Sequence, residues 1–324
     1  MTTKDQLIVK YDNRSFNVTQ FAELHPAGPE VLRAAQGESI DAYMRASSAM
    51  HGLRHRHSDH AYKMLNKYEC SDDGELLKPH DDSLVDSANM DFSKAMLPQV
   101  GQLGDRYWDW IHDPVELRMR LFPSDFLEKF TRTKWYTVIL LWMPAVLYFA
   151  HHGLLALHER MPAPQAYLCA ALYFLLGTLA WTFFEYVLHR FIYHWAPNSN
   201  SPAQLVLHFL LHGIHHKTPM DPDRLVAPPT LSGSFVICFY TLFKLSLPWH
   251  FGAVFGSGTL FGYILYDLTH YYVHHGRPKL DSYAHQLKQY HAAHHYQNYD
   301  AGYGVSSPIW DFVFATRPPA KSKE

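Results

Sequence analysis

The chain has 324 residues, enough for two domains, and carries 24 histidines with a formal charge of −2. That balance, without a Lys/Arg block or an RNA-reading aromatic signature, excludes a nucleic-acid partner. Mean hydropathy is slightly negative, yet the charges crowd into the first ~130 positions, so the average hides an apolar second half suited to a membrane.

The first residues, MTTKDQLIVKYD, hold no apolar core of a signal peptide, so the N-terminal domain is expected to stay in the cytosol. Residues 1–70 alternate short β-like and helix-like runs. The acidic stretch SDDGELLKPHDDSLVDSANMD, within 71–95, reads as a linker. Residues 96–134 intersperse Tyr107, Trp108, Trp110, Phe122, Phe126 and Phe130 with charges, a pattern expected of an amphipathic segment along a bilayer surface. Cys70, Cys169 and Cys238 are too scattered for a disulfide framework or a thiolate metal site and are expected as small core residues.

Four apolar segments follow, at 135–157, 166–188, 231–249 and 252–273, each near the ~20 residues of a spanning helix. Their polar exceptions, His151, His152, Glu185, Lys244 and Asp267, stand late in each segment, most of them close enough to an end to snorkel to the interface. The pairs Gly252/Gly256 and Gly258/Gly262 have the spacing that lets helices approach closely. Arg132 and Lys134, then Arg190, Lys217 and Arg224, then Arg277 and Lys279 flank the same ends of these segments. The opposite loops hold only Arg160, so the rule that positive charge stays inside puts both termini on the cytosolic side.

On that side fall HRFIYH, HGIHH, HYYVH and HAAHH, with His189, His194, His212, His215, His216, His270, His274, His291, His294 and His295. Histidines three and four apart share a helix face. Adjacent ones such as His215 and His216 diverge by about 100°, which sends one ring to each of two neighbouring metals. The five-residue step from His189 to His194 suits two separate ions, or a helix that ends between them. Ten donors over two six-coordinate metals give five each and leave one position for oxygen, whereas a structural zinc site closes with four ligands. His80, His112, His158, His208 and His250 read as ordinary surface or core histidines, and Tyr271, Tyr272 and Tyr303 as packing.

These boxes, with LGDRYWDWIHDPV and LFPSDFLEKF upstream, resemble the integral-membrane fatty acid hydroxylase family and within it the fatty acid 2-hydroxylases, over most of residues 96–315. The resemblance implies a pair of non-haem iron ions, replaceable by zinc on purification, held by the ten histidines, with His275 the one ambiguity. It further implies O2-dependent hydroxylation of carbon 2 of a long-chain fatty acid or of the acyl chain of ceramide, at the endoplasmic reticulum membrane. FNVTQFAELHPAGPEVLRAAQGESIDAYM resembles a cytochrome b5, which implies haem b with His25 as one axial ligand. LRHRHSDHAYKML offers His55, His57 and His60 for the other, and its likeness to b5-fused 2-hydroxylases favours His57. Ala27 departs from the first glycine of the b5 signature. A cytochrome b5 or P450 reductase would then supply electrons.

The expected architecture is a mostly α membrane protein: four transmembrane helices under a cytosolic His-rich helical cap, plus a small α+β cytochrome b5-like domain. Its parts are the b5-like domain at 1–70, the linker, the surface segment, the hydroxylase domain at 135–316 and a tail at 317–324. The alternatives are a b5-fused lipid desaturase, which typically has Gln where this chain has His291, and a sterol-type oxidase, which usually lacks the b5 domain.

Overall fold

The computed structural model describes residues 6–318 apart from 23–24, 26–27, 46, 50–56, 58, 72, 78–85, 87 and 280–281, and omits the side chains of residues 59 and 60. Ala27, His55, His80, the side chain of His60 and most of the tail therefore lie outside the described residues. The chain divides into two compact units, 1–91 and 92–324.

In the first unit, β1 (Ile8–Tyr11) and β2 (Arg14–Asn17) form an antiparallel hairpin. Asp12 and Asn13 turn it, both at positive φ, as a two-residue hairpin loop requires. Helices α1 (Pro29–Ala34), α2 (Asp41–Met44) and α3 (Asp59–Leu65) follow, and β3 (Glu69–Cys70) returns to pair with β2. Val9, Phe16, Val18, Leu32 and Met44 are buried together between sheet and helices. His25 precedes α1 and His57 precedes α3.

The second unit begins with three short helices, α4 (Met96–Val100), α5 (Tyr107–Ile111) and α6 (Asp125–Lys129). Phe126 and Phe130 are exposed, but Tyr107 and Trp110 are buried, contrary to a purely surface-lying stripe. The cause is a set of ties to later chain: Lys217 Nζ donates to the Trp110 and Asp113 carbonyls, and Arg224 donates to Glu128. A buried lysine needs such acceptors to replace lost water.

Helices α7 (Trp135–His158) and α8 (Ala163–Val187) are long and apolar enough to cross a membrane, α8 continuing as a π-helical turn, Leu188–Tyr193. Then come α9 (Pro202–His208), a second π-helical turn at Phe209–Gly213, and α10 (Ile214–Lys217). Next are α11 (Pro229–Ser246) and α12 (Trp249–His275). Helix α11 ends three residues short of the expected 249, where Leu247 turns extended ahead of Pro248. Helices α13 (Tyr283–Tyr296) and α14 (Ile309–Val313) complete the order.

Helix α12 packs against α7 and α8 through glycines. A Cβ at Gly258 would overlap the Phe174 carbonyl, and one at Gly262 would meet the Trp181 Cβ at 2.5 Å, so these positions set the interaxial distance. Two expectations are corrected here. Glu185 and Asp267 do not snorkel: both are buried, Glu185 accepting from the backbone N–H groups of Val305 and Ser306 and Asp267 from that of Ala227. Of the cysteines, only Cys70 is buried, while Cys238 faces outward from α11.

Candidate metal centre

The ten histidines gather into two groups of five nitrogens, each group within 4.8 Å internally. One is His189, His194, His212, His216 and His294; the other is His215, His270, His274, His291 and His295. Local helix geometry explains the sorting. His212 and His216, His270 and His274, and His291 and His295 are one α-turn apart and aim together. The middle histidine of each HxxHH box, His215 or His294, leans away by the ~100° step and joins the other group. Each group is thus an i,i+4 pair from one HxxHH box, the odd histidine of the other, and a pair from a long helix.

Of the two readings of this spacing, two separate ions or a helix that ends between the residues, the second fits His189 and His194, since the helical turn stops at Tyr193. Both belong to one group, because residues 188–193 form a π-turn in which the His194 N–H bonds to the His189 carbonyl, and a five-residue step then completes one turn.

Within the groups the Nε2 atoms stand at hydrogen-bond range but cannot all be hydrogen-bonded. His291 Nε2 lies 3.0 Å from each of the Nε2 atoms of His270, His274 and His295, though a neutral imidazole has one N–H and one lone pair to share between its two nitrogens. His189 and His294 spend their Nδ1–H on the carbonyls of Tyr303 (2.6 Å) and Ala301 (2.8 Å), which leaves Nε2 as a bare lone pair. The buried Nε2 of His294 has no hydrogen-bond partner. A cation at the centre of each group would satisfy these lone pairs. With metal–nitrogen bonds of ~2.1 Å, adjacent donors of a six-coordinate ion stand ~3.0 Å apart and those of a tetrahedral one ~3.4 Å. The spacings of 2.9–3.2 Å fit the former.

Burial, reinforced by neighbouring imidazoles, pushes His212, His215, His216, His291 and His295 well below the ordinary histidine range, so they are neutral as ligands must be. His275 lies outside both groups, its ring beside Tyr271. His208 is a core residue outside both groups, bonded through Nδ1 to the Tyr107 hydroxyl. His112, read as ordinary, sits closer to the centre: it stacks on Tyr299 at 3.5 Å and meets the His216 ring edge at 5.2 Å. Burial lowers its pKa to about 4.

The sequence reading missed the supports of this centre. The Ala301 and Tyr303 carbonyls leave no side-chain signal at all. Asp311, fully buried in the otherwise apolar IWDFV, is a lone acid that a pattern search passes over. Tyr303, read as packing, does pack its ring on His189, but it is the backbone carbonyl that orients the ligand.

A cavity of about 1040 Å³ opens onto both groups, reaching His212 of one and His215 and His270 of the other. Its walls are largely apolar, among them Val226, Leu231, Phe235, Phe239 and Leu260. In the first unit, the rings of His25 and His57 have centroids 6.4 Å apart and planes tilted by 42°.

Comparison with known proteins agrees with this geometry. The fatty acid hydroxylase family model matches residues 174–316. Fatty acid 2-hydroxylase of Mus musculus is 36% identical over 95% of this chain and 90% of its own length. Ceramide very long chain fatty acid hydroxylase SCS7 of Saccharomyces cerevisiae is 34% identical over 97% of this chain and 91% of its own. A solved structure described as full length scs7p, with only the hydroxylase domain visible, superposes with a TM-score of 0.66 at 36% identity, covering 77% of this chain and 94% of that one. On this similarity the chain belongs to the fatty acid 2-hydroxylase family of enzymes.

Proposed function

We propose that the protein hydroxylates carbon 2 of a long acyl chain, as free fatty acid or within ceramide, for sphingolipid synthesis. The ten histidines hold two non-haem iron ions, which zinc can replace on purification. The observation that carries this reading is the apolar cavity ending on both five-nitrogen groups at once. The names of the relatives point to the same substrates.

Iron bound there supplies the oxygen activation and electron acceptance that no side chain has. The chain's own residues do the rest. At about 1040 Å³ the cavity stands at the upper end of the ~300–1,000 Å³ range of small-ligand sites, which suits a long acyl tail, and its apolar walls keep water from the reacting carbon. Carbonyl-anchored His189 and His294 fix ligand orientation before substrate arrives. In net terms O2, two electrons and two protons convert the C–H at carbon 2 to C–OH and release one water.

His25 and His57, in a cytochrome b5-like domain at 1–70, would hold haem b, which would supply one-electron transfer from a cytochrome b5 or P450 reductase. The two histidines' ring centroids stand 6.4 Å apart, a separation that would let one nitrogen of each ring reach a shared metal at ~2.0 Å. Segment 71–95 is the linker, 96–134 lies at the membrane surface, 135–316 is the hydroxylase domain and 317–324 a cytosolic tail. Helices α7, α8, α11 and α12 span the endoplasmic reticulum membrane with the histidine centre and both termini cytosolic. Outward leucines support the spans: Leu140 is 70% exposed, Leu168 71% and, on α11, Leu245 81%, a dense apolar surface suited to lipid.

The test is lipid mass spectrometry of cells expressing the chain against cells expressing His215→Ala. The expected result is a 2-hydroxy acyl product that disappears in the variant. A hydroxyl at another carbon would mark a sterol-type oxidase, and a double bond a desaturase; either overturns the reading.

A further inference from the structure

Of the ten clustered histidines, His189 and His294 anchor Nδ1 on backbone carbonyls, while the Nδ1 atoms of His215, His216, His291 and His295 have no hydrogen-bond partner. Both anchored rings belong to the same five-nitrogen group. Both carbonyls, of Tyr303 and Ala301, come from one loop, 301–306.

That loop is itself held by two buried carboxylates. Asp311 Oδ1 accepts from the Tyr303 N–H at 2.9 Å and from the Thr316 hydroxyl at 2.7 Å, and Oδ2 accepts from the Gly304 N–H at 2.7 Å. Glu185, one helical turn before His189, accepts from the N–H groups of Val305 at 2.6 Å and Ser306 at 2.7 Å, and from the Ser306 hydroxyl. Two glycines make the tight path possible. Gly302 adopts φ +81°, and a Cβ at Gly304 would overlap the Ser307 carbonyl and press on Asp311 Oδ2 at 3.0 Å. The Tyr303–Gly304 peptide unit is gripped by Asp311 through its N–H and presents its carbonyl to His189, a two-step relay, while the unit that presents the Ala301 carbonyl to His294 is held through the Gly302 N–H on the carbonyl of Thr316, whose hydroxyl bonds Asp311.

We propose that Asp311, assisted by Glu185, is a positioning residue for one of the two metals only, the ion of the His189, His194, His212, His216 and His294 group. This rests on the two-metal reading above. Substituting outer partners of a metal-bound histidine weakens metal affinity by ~10–100-fold, and Asp311 acts through one further link, so about tenfold is expected. The other ion takes its ligands from rings that do not use this loop and should not respond.

The experiment uses purified full-length protein loaded with two ions, with release to a chelator followed by metal analysis. For Asp311→Asn, one ion per chain should leave about ten times faster than from wild type, and the second at the wild-type rate. The lost ion is identified by pairing the substitution with ligand variants. In His274→Ala, which weakens the other group, adding Asp311→Asn should speed release of the ion that remains. In His189→Ala it should leave the remaining ion unchanged. Glu185→Gln should give the same selectivity to a smaller extent and covers the case in which the Asp311 variant does not fold. Equal acceleration of both ions, or of neither, overturns the proposal, whereas a wild type that cannot be loaded with two ions overturns the two-metal reading.

Discussion

A buried arginine between two acids shows how single residues hold the histidine cap to the chain before it. Arg224 is almost wholly buried, 2.6 Å from Glu128 and 3.4 Å from Asp221, and it also donates to the Met119 carbonyl. Burial alone would raise the Glu128 pKa, but the N–H groups of Phe122 and Leu121 and the Arg224 guanidinium outweigh it and hold the carboxyl below its ordinary 4.5. Removing the guanidinium leaves Glu128 with only the part-exposed Arg132 at 3.2 Å and its two N–H donors, so Arg224→Met should destabilise the protein by about 2–3 kcal/mol, less than the ~3–5 kcal/mol of a fully unpaired buried charge, and Glu128→Gln in the same chain should recover part of that. Thermal unfolding in detergent measures both. The sign of the pH effect follows from linkage: a carboxyl whose folded pKa is depressed stabilises above pH 4.5, and that stability is lost as pH falls through the lowered value. Glu128→Gln should therefore flatten the acid limb of a stability profile. At this scale the ten histidines were legible because their spacing repeats, and a metal needs that repetition. Glu185, Asp267 and Asp311 were not, because a single acid in an apolar run reads the same whether it snorkels or is buried against backbone N–H groups.

Elements decide where those residues point. The i,i+4 pairs could be read from sequence because an α-helix has one pitch, and the opposed directions of His215 and His216 follow from the same arithmetic. His189 and His194 could not, since nothing in HRFIYH announces that residues 188–193 wind as a π-turn. The four apolar runs were readable to within a few residues, and so were the small residues that let helices meet. Their consequence is testable by contrast. Gly258 has the Phe174 carbonyl against the site of its missing Cβ, whereas Gly233 on α11 has nothing within 4 Å. Gly258→Ala should therefore cost about 1–3 kcal/mol by forcing α8 and α12 apart. Gly233→Ala should be neutral or stabilise by up to about 1 kcal/mol through helix propensity. Because the π-helical turn that continues α8 carries His189 and α12 carries His270 and His274, the first variant should also weaken metal retention and the second should not. Unfolding temperature and metal content, measured on both proteins, check the pair of expectations.

For the whole molecule, the question is how a two-electron reaction draws on a carrier that holds one electron. On the proposed reading a haem on the same chain would cycle twice per turnover, so its loss should slow the reaction without dismantling the site where the reaction occurs. The two compact units make that separation physical: His25 and His57 lie within residues 1–91, and all ten clustered histidines lie within 92–324. His25→Ala should accordingly abolish the haem absorption bands while the purified protein keeps its two non-haem ions per chain. Turnover with a reductase alone should fall strongly, and a separately supplied one-electron haem donor should restore part of it. Absorption spectra, metal analysis and product formation are read from one preparation. Haem bands that survive in the variant would reject His25 as an axial ligand. Loss of the non-haem ions along with the haem would show that the units depend on each other for metal binding, which their separate ligand sets argue against.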